Sequence, residues 1–561
     1  MAKKQHSRRT SSKRRRRAPP STDRQPKLEA LSVVLGQTPG RDPARLVRTL
    51  TRRLGLTGWK VEPVLEDGTE VEILPPPRGV SVARAWDLTY AFRDQPEVAD
   101  ASPMFSYLVP ENAPDRARKV SGRGSTDDPA TDTDYEWSLV KANVLEAWRL
   151  FGARPPGAGV QVGHPDTGYT LHPELAEPAR LLVGEGYDYD DDDPDPLDDL
   201  TDDFLDNPGH GTGTGSVILS GVGSATGGTG PFVSGVAPHA MLIPIRTTES
   251  VVLFSMRGLR QAIDHATAHG AQIVSISLGG PFPGFGTERA IARAVEAGTI
   301  VLAAAGNEVG FVVFPAAFEQ VIAVAASNIR DEPWTGSSRG PAVDITAPGE
   351  SVWRAQAKRQ SSGQMAFSVA RGNGTSFAVA TTAGVAALWV SFHGWTNLVR
   401  RFGAGKIAGV FKQLLQATCR TPRGWKTGEY GPGIVDARRL LAAPLPDTAP
   451  AHKLRGARRA AVAVDTTGIE TIVHLYPDVS RTRVEDAVAD LLHVSDRELP
   501  PTLQELGDEL AFQLIMQPHL FEQLRASARG GRRAASSRQA SRRRLSQSAL
   551  SSRLRKQLRE R

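Results

Sequence analysis

Between Trp137 and about Leu441, short, mostly apolar runs alternate with stretches of helical spacing, and this alternation limits the fold more than any other feature. MLIPIR (241–246), QIVSISL (272–278), TIVLAAA (299–305) and VIAVAAS (321–327) read as strands. LRQAIDHATAHG and TERAIARAVEAG, lying between them, read as helices. Strands joined by helices pair in parallel and are covered on both faces. The expected architecture is α/β, a doubly wound, mostly parallel sheet with helices on either side. Ligand sites in such sheets lie at the carboxyl ends of the strands.

Smaller units flank this sheet. Residues 1–27 form a basic arm expected to be disordered. Residues 28–110 read as a small α/β unit. LEALSVVLG is a strand, and Asp42-Pro43 starts a helix with Asp as N-cap and Pro at the first helical position. Thr69–Leu74 alternates like a strand, Val80–Phe92 has helical spacing, and PEVADASPMFSYLVP closes the unit as a strand. Residues 111–134 are a polar linker, and 135–445 hold the large sheet. Residues 446–524 read as a small, mostly helical region with one strand-like stretch, TIVHLYP. Residues 525–561 read as a basic, disordered tail.

Charge separates these units. The formal net charge of +7 is made of +9 in residues 1–17, +12 in 525–561 and −14 between them. Basic ends suggest nucleic acid or anionic surfaces as accessory partners, although no nucleic-acid motif accompanies them. They could also reach the chain's own acidic segments. A single cysteine, Cys419, allows no intrachain disulfide. The basic N-terminus is followed by no apolar core of a secretion signal, and no apolar run approaches the roughly 20 residues of a membrane helix. The expected location is cytoplasmic.

Three segments carry the chemistry. VGHPDTGYTLHPEL holds Asp166 at a strand end, NPGHGTGTGSVI holds His210 at the start of a Gly/Thr-rich helix, and GNGTSFAVATTAGVAALWV places Ser376 ahead of a run of small residues. A serine hydroxyl is a weak nucleophile at neutral pH and needs a base, which in turn needs an orienting carboxylate. A helix N-terminus behind Ser376 offers N–H groups to a developing oxyanion. A fourth segment, AAAGNEV, ends a strand with Asn307, whose side-chain amide can donate to the same oxyanion.

These four segments, in the order Asp, His, Ser, resemble those of the subtilisin-like (S8) serine peptidases. The similarity covers roughly residues 135–441 and includes SGVAP (234–238), SISLGG (275–280), SSRG (337–340), DITAPG (344–349) and GPGIVDA (431–437). It implies a serine endopeptidase that acts on polypeptides through an acyl-enzyme, with Asp166, His210 and Ser376 as triad and Asn307 at the oxyanion. It further implies that Ser277, Leu278 and Gly279 line the substrate channel as a strand edge and wall the S1 pocket, with Ala304, Ala305 and Gly306 opposite. No charge stands in those walls, so an apolar P1 residue is expected. Residues 28–110 are similar in size and order to the family's inhibitory propeptides. Two positions depart from the pattern. Gly163, His164 and Pro165 stand where the family is usually apolar, and Pro165, which has no N–H, predicts an early end to the strand. Ala380 stands where the family usually has proline.

Two other readings compete. A non-catalytic peptide-binding protein could keep the same fold. An α/β-hydrolase would need a Gly-x-Ser-x-Gly elbow, which the surroundings of Ser376 do not provide. His164, His172 and His239 receive no chemistry, being expected in surface or capping roles. The run Asp188–Asp206 contains eleven aspartates, and three readings stand open: a solvated loop, a Ca²⁺ site, or an acidic rim that draws basic peptides. No cofactor is required by the expected chemistry.

Overall fold

The computed structural model describes residues 26–36, 42–64, 68–106, 133–175, 180–201, 207–221, 223, 231–253, 255–281, 283–449, 472–473, 475–476, 479–529 and 543–559. The arm through residue 25, linker residues 111–132 and the last acidic-run residues 202–206 lie outside this set.

The N-terminal unit follows its sequence pattern. β1 (Lys27–Leu35), β2 (Lys60–Pro63), β3 (Glu70–Leu74) and β4 (Val98–Ser106) form an antiparallel sheet in the order β2-β3-β1-β4. Two helices, α1 (Pro43–Arg53) and α2 (Val82–Arg93), accompany it, and the Ser81 hydroxyl caps α2 by accepting from the Arg84 N–H. Side chains alternate across the pleat. Leu31, Val33, Val71 and Ile73 join the apolar core of this unit, whereas Ser32, Glu70 and Glu72 are polar yet buried.

Two short helices, α3 (Trp137–Lys141) and α4 (Val144–Arg149), lead into the large sheet. β5 (Gln161–Asp166), β6 (Tyr187–Asp188), β7 (Met241–Arg246), β8 (Ile273–Ile276), β9 (Ile300–Ala304), β10 (Ile322–Ser327) and β11 (Ile345–Pro348) are parallel, in the order β11-β10-β9-β8-β5-β7-β6. Helices α5 (His210–Leu219), α6 (Arg257–Ala268) and α7 (Phe285–Ala297) connect strands. The doubly wound sheet read from the sequence is therefore present. Pro165 does not end β5 early. The strand pairs with β7 from Gln161 through Asp166 but with β8 only at Val162 and Gly163. Lacking one donor, it loses a neighbour on one side and is held by the other.

β12 (Val352–Arg359) and β13 (Met365–Gly372) form a hairpin that delivers the chain to α8 (Thr375–His393). By length and apolarity α8 matches a membrane span, but it is buried inside the core. Its small residues, among them Ala378, Ala380 and Ala383, let it pass close to the sheet.

The C-terminal segments correct three expectations. Ile472 and Val473 are helical rather than strand-like. The helix Pro518–Arg529 runs past the boundary placed at residue 524. Residues 525–561 are not a disordered tail as a whole, because Ser552–Arg559 is a helix and Leu545, Leu550 and Leu554 are buried. Net charge concealed these leucines. They pack in one core with β1, α2 and the helices Arg481–Leu492 and Leu499–Met516. The buried Glu509 carboxylate accepts from the Tyr90 hydroxyl (3.0 Å), the Ser551 N–H (2.7 Å) and the Ser551 hydroxyl (2.6 Å). It ties N-terminal unit, C-terminal helix and tail together. Arg553 pairs with Asp94 and Glu505, so part of the tail's charge is neutralised internally.

The polar face of the N-terminal sheet docks on α6 and α7. Arg257 reaches Glu72 (2.7 Å) and Glu62 (3.2 Å), Arg260 pairs with Glu72, and Arg289 reaches Asp100 (2.9 Å) and Ser32 (2.7 Å). Glu70 receives Arg289 (3.2 Å) and Arg293 (3.0 Å). Removing one partner of a buried ionic cluster strands the others, at about 3–5 kcal/mol. Glu70→Ala should therefore lower the unfolding free energy by that order, read as a lower denaturant midpoint at unchanged slope. The shared core predicts more: a chain cut at a protease site inserted within residues 107–132 should still elute as one particle. Separation of its fragments on gel filtration would contradict the shared core.

Candidate active site

β5 ends in the middle of the sheet, and its last residue, Asp166, is fully buried. Its Oδ1 accepts from the Thr167 N–H (2.7 Å) and pairs with His210 Nδ1 (2.7 Å). Oδ2 accepts from the Thr214 hydroxyl (3.2 Å). Burial opposes ionisation of Asp166, but His210, His164 and the Thr167 N–H together hold its pKa below the usual carboxylate value.

His210 opens α5, where glycines let the helix approach the Asp166 loop. A Cβ on Gly211 would stand 2.1 Å from the Gly168 carbonyl oxygen. Gly209 has φ 72°, a left-handed backbone that favours glycine.

Ser376 lies in the first turn of α8 and is 5% exposed. Its hydroxyl donates to the Ser277 carbonyl (3.4 Å), and the Ser277 hydroxyl donates to the Ser376 carbonyl (3.2 Å). Asn307 Oδ1 accepts from the Thr375 N–H and hydroxyl, both at 2.9 Å. That fixes the amide orientation and leaves Nδ2 facing Gly374, 3.3 Å from where a Cβ would be. Asn307 is thus tied to the residue preceding Ser376. All four residues chosen from sequence lie on elements that meet at the carboxyl end of the sheet.

The inferred pocket walls are less uniform. Leu278 and Ala305 have buried side chains, so what they present to a ligand is backbone. The Gly279 main chain pairs with Val251 and Leu253. A residue absent from the sequence reading, Val313, spans the two walls. Its Cγ2 lies 2.6 Å from a Cβ position on Gly279 and its Cγ1 2.9 Å from one on Gly306. Both glycines make room for it.

The acidic run is neither a bare loop nor a free rim in its described part. The buried Arg246 guanidinium gathers Asp188 (2.7 Å), Asp191 (2.8 Å), Asp190 (3.3 Å), Glu249 (3.4 Å) and Asp199 (4.0 Å). Among the described residues no group of three or more His, Cys, Asp or Glu side chains is arranged to hold a metal ion. Asp198 departs furthest from the solvated reading. Buried, it accepts from the Thr167 hydroxyl (2.7 Å) and the Gly209 N–H (2.9 Å), and the Thr167 hydroxyl accepts from the Gly211 N–H (3.1 Å). One carboxylate ties the residue after Asp166 to the residue before His210.

Of the three histidines expected in surface or capping roles, His164 departs from that expectation. His164 is buried at 3.7 Å from Asp166, its Nε2 meeting the Thr214 hydroxyl at 3.0 Å. Burial pushes its pKa down, against the pull of Asp166. His172 does cap, its Nδ1 accepting from the Glu174 N–H (3.1 Å), yet it too is buried. His239 is exposed.

Comparison with known proteins agrees with this arrangement. The subtilase family model matches residues 157–431. Thermitase of Thermoactinomyces vulgaris is 30% identical over 253 residues, 45% of this chain and 80% of that protein. Subtilisin Savinase of Lederbergia lenta is 30% identical over 288 residues, covering 50% and 90% respectively. The chain belongs to the subtilase family. It is a serine endopeptidase acting on polypeptides. Fervidolysin of Fervidobacterium pennivorans shares the fold, with a TM-score of 0.54 and 22% identity over 75% of this chain and 62% of that one.

In this subtilase the Asp198 carboxylate braces the backbone on either side of the Asp166–His210 pair. Asp198→Ala leaves the Thr167 hydroxyl and Gly209 N–H without their acceptor. It should lower kcat at least about tenfold, since about 1.4 kcal/mol of lost alignment gives that factor, with a smaller change in KM. An unchanged kcat would confine Asp198 to loop stability.

Proposed function

We propose that this subtilase hydrolyses peptide bonds through an acyl-enzyme built on Asp166, His210 and Ser376. The observation that carries the reading is the 2.7 Å bond between His210 Nδ1 and a buried Asp166, at the end of the sheet where Ser376 and Asn307 are also tethered. Asp166 sets the His210 tautomer, so that Nε2 faces outward as the base. Ser376 turns from the Ser277 carbonyl towards Nε2, loses its proton to it, and attacks the scissile carbonyl. Catalytic hydrogen bonds in ligand-free enzymes often tighten only when substrate binds. The oxyanion is received by Asn307 Nδ2 and the Ser376 N–H at the head of α8. His210 then protonates the leaving amine, and water repeats the cycle on the acyl-enzyme.

Val313 sets the depth of the S1 pocket. A side chain lodged between Gly279 and Gly306 leaves space for a small apolar P1 residue. Val313→Gly should move P1 preference from Ala towards Leu or Phe in a peptide library; an unmoved preference would show that S1 lies elsewhere. On this reading residues 28–106 are a permanent propeptide-like unit, held by the C-terminal helices, that leaves the enzyme active once the linker has been cleaved.

A fluorophosphonate probe tests the triad. It should label the wild type, and Ser376→Ala should abolish both labelling and hydrolysis while the protein stays folded. A fully active Ser376→Ala would falsify the assignment, and a folded wild type that never labels would favour the non-catalytic alternative. Asn307→Ala should keep the serine but slow turnover about 10²-fold or more.

A further inference from the structure

The arginines at the two acidic clusters described above answer to carboxylates, and Arg354 does not. Arg246 has five acidic neighbours, and Arg257, Arg260, Arg289 and Arg293 share the acids of the N-terminal sheet. Arg354, on β12, has none among the described residues. Its Nη1 donates to the Ala355 carbonyl (3.1 Å), and its Nε is buried without a hydrogen-bond partner. Burial with no countercharge pushes its pKa down to about 10. An unpaired cation out of water is costly, and a guanidinium tolerates such a place best where an anion visits it.

Its location says which anion. The Arg354 Cδ lies 3.1 Å from a Cβ position on Gly213, so the stem crosses α5 one turn after His210. Its Nε lies 3.0 Å from a Cβ position on Gly372, where the Phe377 ring also closes to 2.5 Å. Phe377 follows Ser376, and its ring centroid stands 6.5 Å from that of His210. The charge of Arg354 is also felt at His172. Arg354 thus sits on the His210–Phe377 flank of Ser376, while Ser277, Val313 and Asn307 occupy the other. The S1 walls belong to that other flank. Because His210 must reach the leaving nitrogen, the leaving-group side of the substrate runs along the flank of Arg354.

We propose that Arg354 is a specificity-determining residue that binds a carboxylate on the leaving-group side of the scissile bond. This rests on Ser376 and His210 acting as set out above. The carboxylate has two sources, an Asp or Glu side chain at the first or second residue after the bond, or the substrate's own C-terminus. Bidentate pairing with a partly desolvated guanidinium is among the stronger polar interactions available to a peptide site.

Quenched-fluorescence peptides that share one unprimed half separate these cases. Side-chain peptides carry Glu, Gln or Lys at the first or second primed position with an amidated end; a further pair ends two residues after the bond as carboxylate or amide. Wild type should show kcat/KM at least about tenfold higher for Glu than for Gln, or for the carboxylate end than for the amide; which ratio is raised identifies the source. Arg354→Met should bring that ratio to about one, and Arg354→Lys should keep part of it. Arg354→Glu should invert the side-chain preference towards Lys, a gain that misfolding cannot produce. Wild-type ratios near one for both sources would overturn the proposal, as would a ratio preserved in Arg354→Met. Hydrolysis of the Gln peptide by wild type reports separately on the triad, so failure of that reading would be recognised by itself.

Discussion

Asp166 is the constraint on which the site depends. A carboxylate with no exposure, at the end of a central parallel strand, is tolerable only if both oxygens are answered. His210, the Thr167 N–H and the Thr214 hydroxyl answer it, and each comes from an element that must be placed for the purpose. The glycines of α5 follow from this demand. A side chain at position 211 would collide with the Gly168 carbonyl and lift His210 away from its partner. Asp198 repeats the device from behind, holding the Thr167 hydroxyl and the Gly209 N–H on a single oxygen, Oδ2.

Arginine does for the outer layers what Asp166 does for the centre. Arg246 folds the acidic segment back on the sheet, supplying internally the positive charge that such a cluster needs. Four arginines on α6 and α7 seat the N-terminal sheet through Glu70, Glu72 and Asp100. Such clusters contribute less to net stability than their Coulomb energies suggest, because both partners are desolvated. Their value is geometric, since a mis-seated sheet would leave several charges buried alone.

The unit spanning residues 28–106 is bound on two sides. Its polar face meets the peptidase helices, and its apolar face shares a core with helices from the other end of the chain. A domain docked only by salt bridges would leave once its linker was cut. One that also buries Trp86, Tyr90 and Phe105 against Phe512 and Leu510 has an apolar reason to remain.

The parallel sheet, the N-terminal strands and helices, and the order of Asp166, His210, Asn307 and Ser376 were legible in the sequence, because periodicity and short Gly-rich motifs are local properties of a chain. The strand of Asp166 survives Pro165 because β7 pairs with it through Asp166, which no local reading of one proline reports. The tail was misread for a related reason. Thirteen basic residues dominate its composition, but three leucines decide where it goes, in a core that they share both with the preceding helices and with α2, more than 400 residues away. Val313 between two glycines, Asp198 behind Asp166, Arg246 inside the acidic segment and Arg354 without a carboxylate partner among the described residues are likewise facts of three-dimensional adjacency. Sequence determined which groups were present and which elements would carry them. Tertiary structure decided which charges were paired and which pocket was filled, because burial and contact arise only when distant segments close on one another.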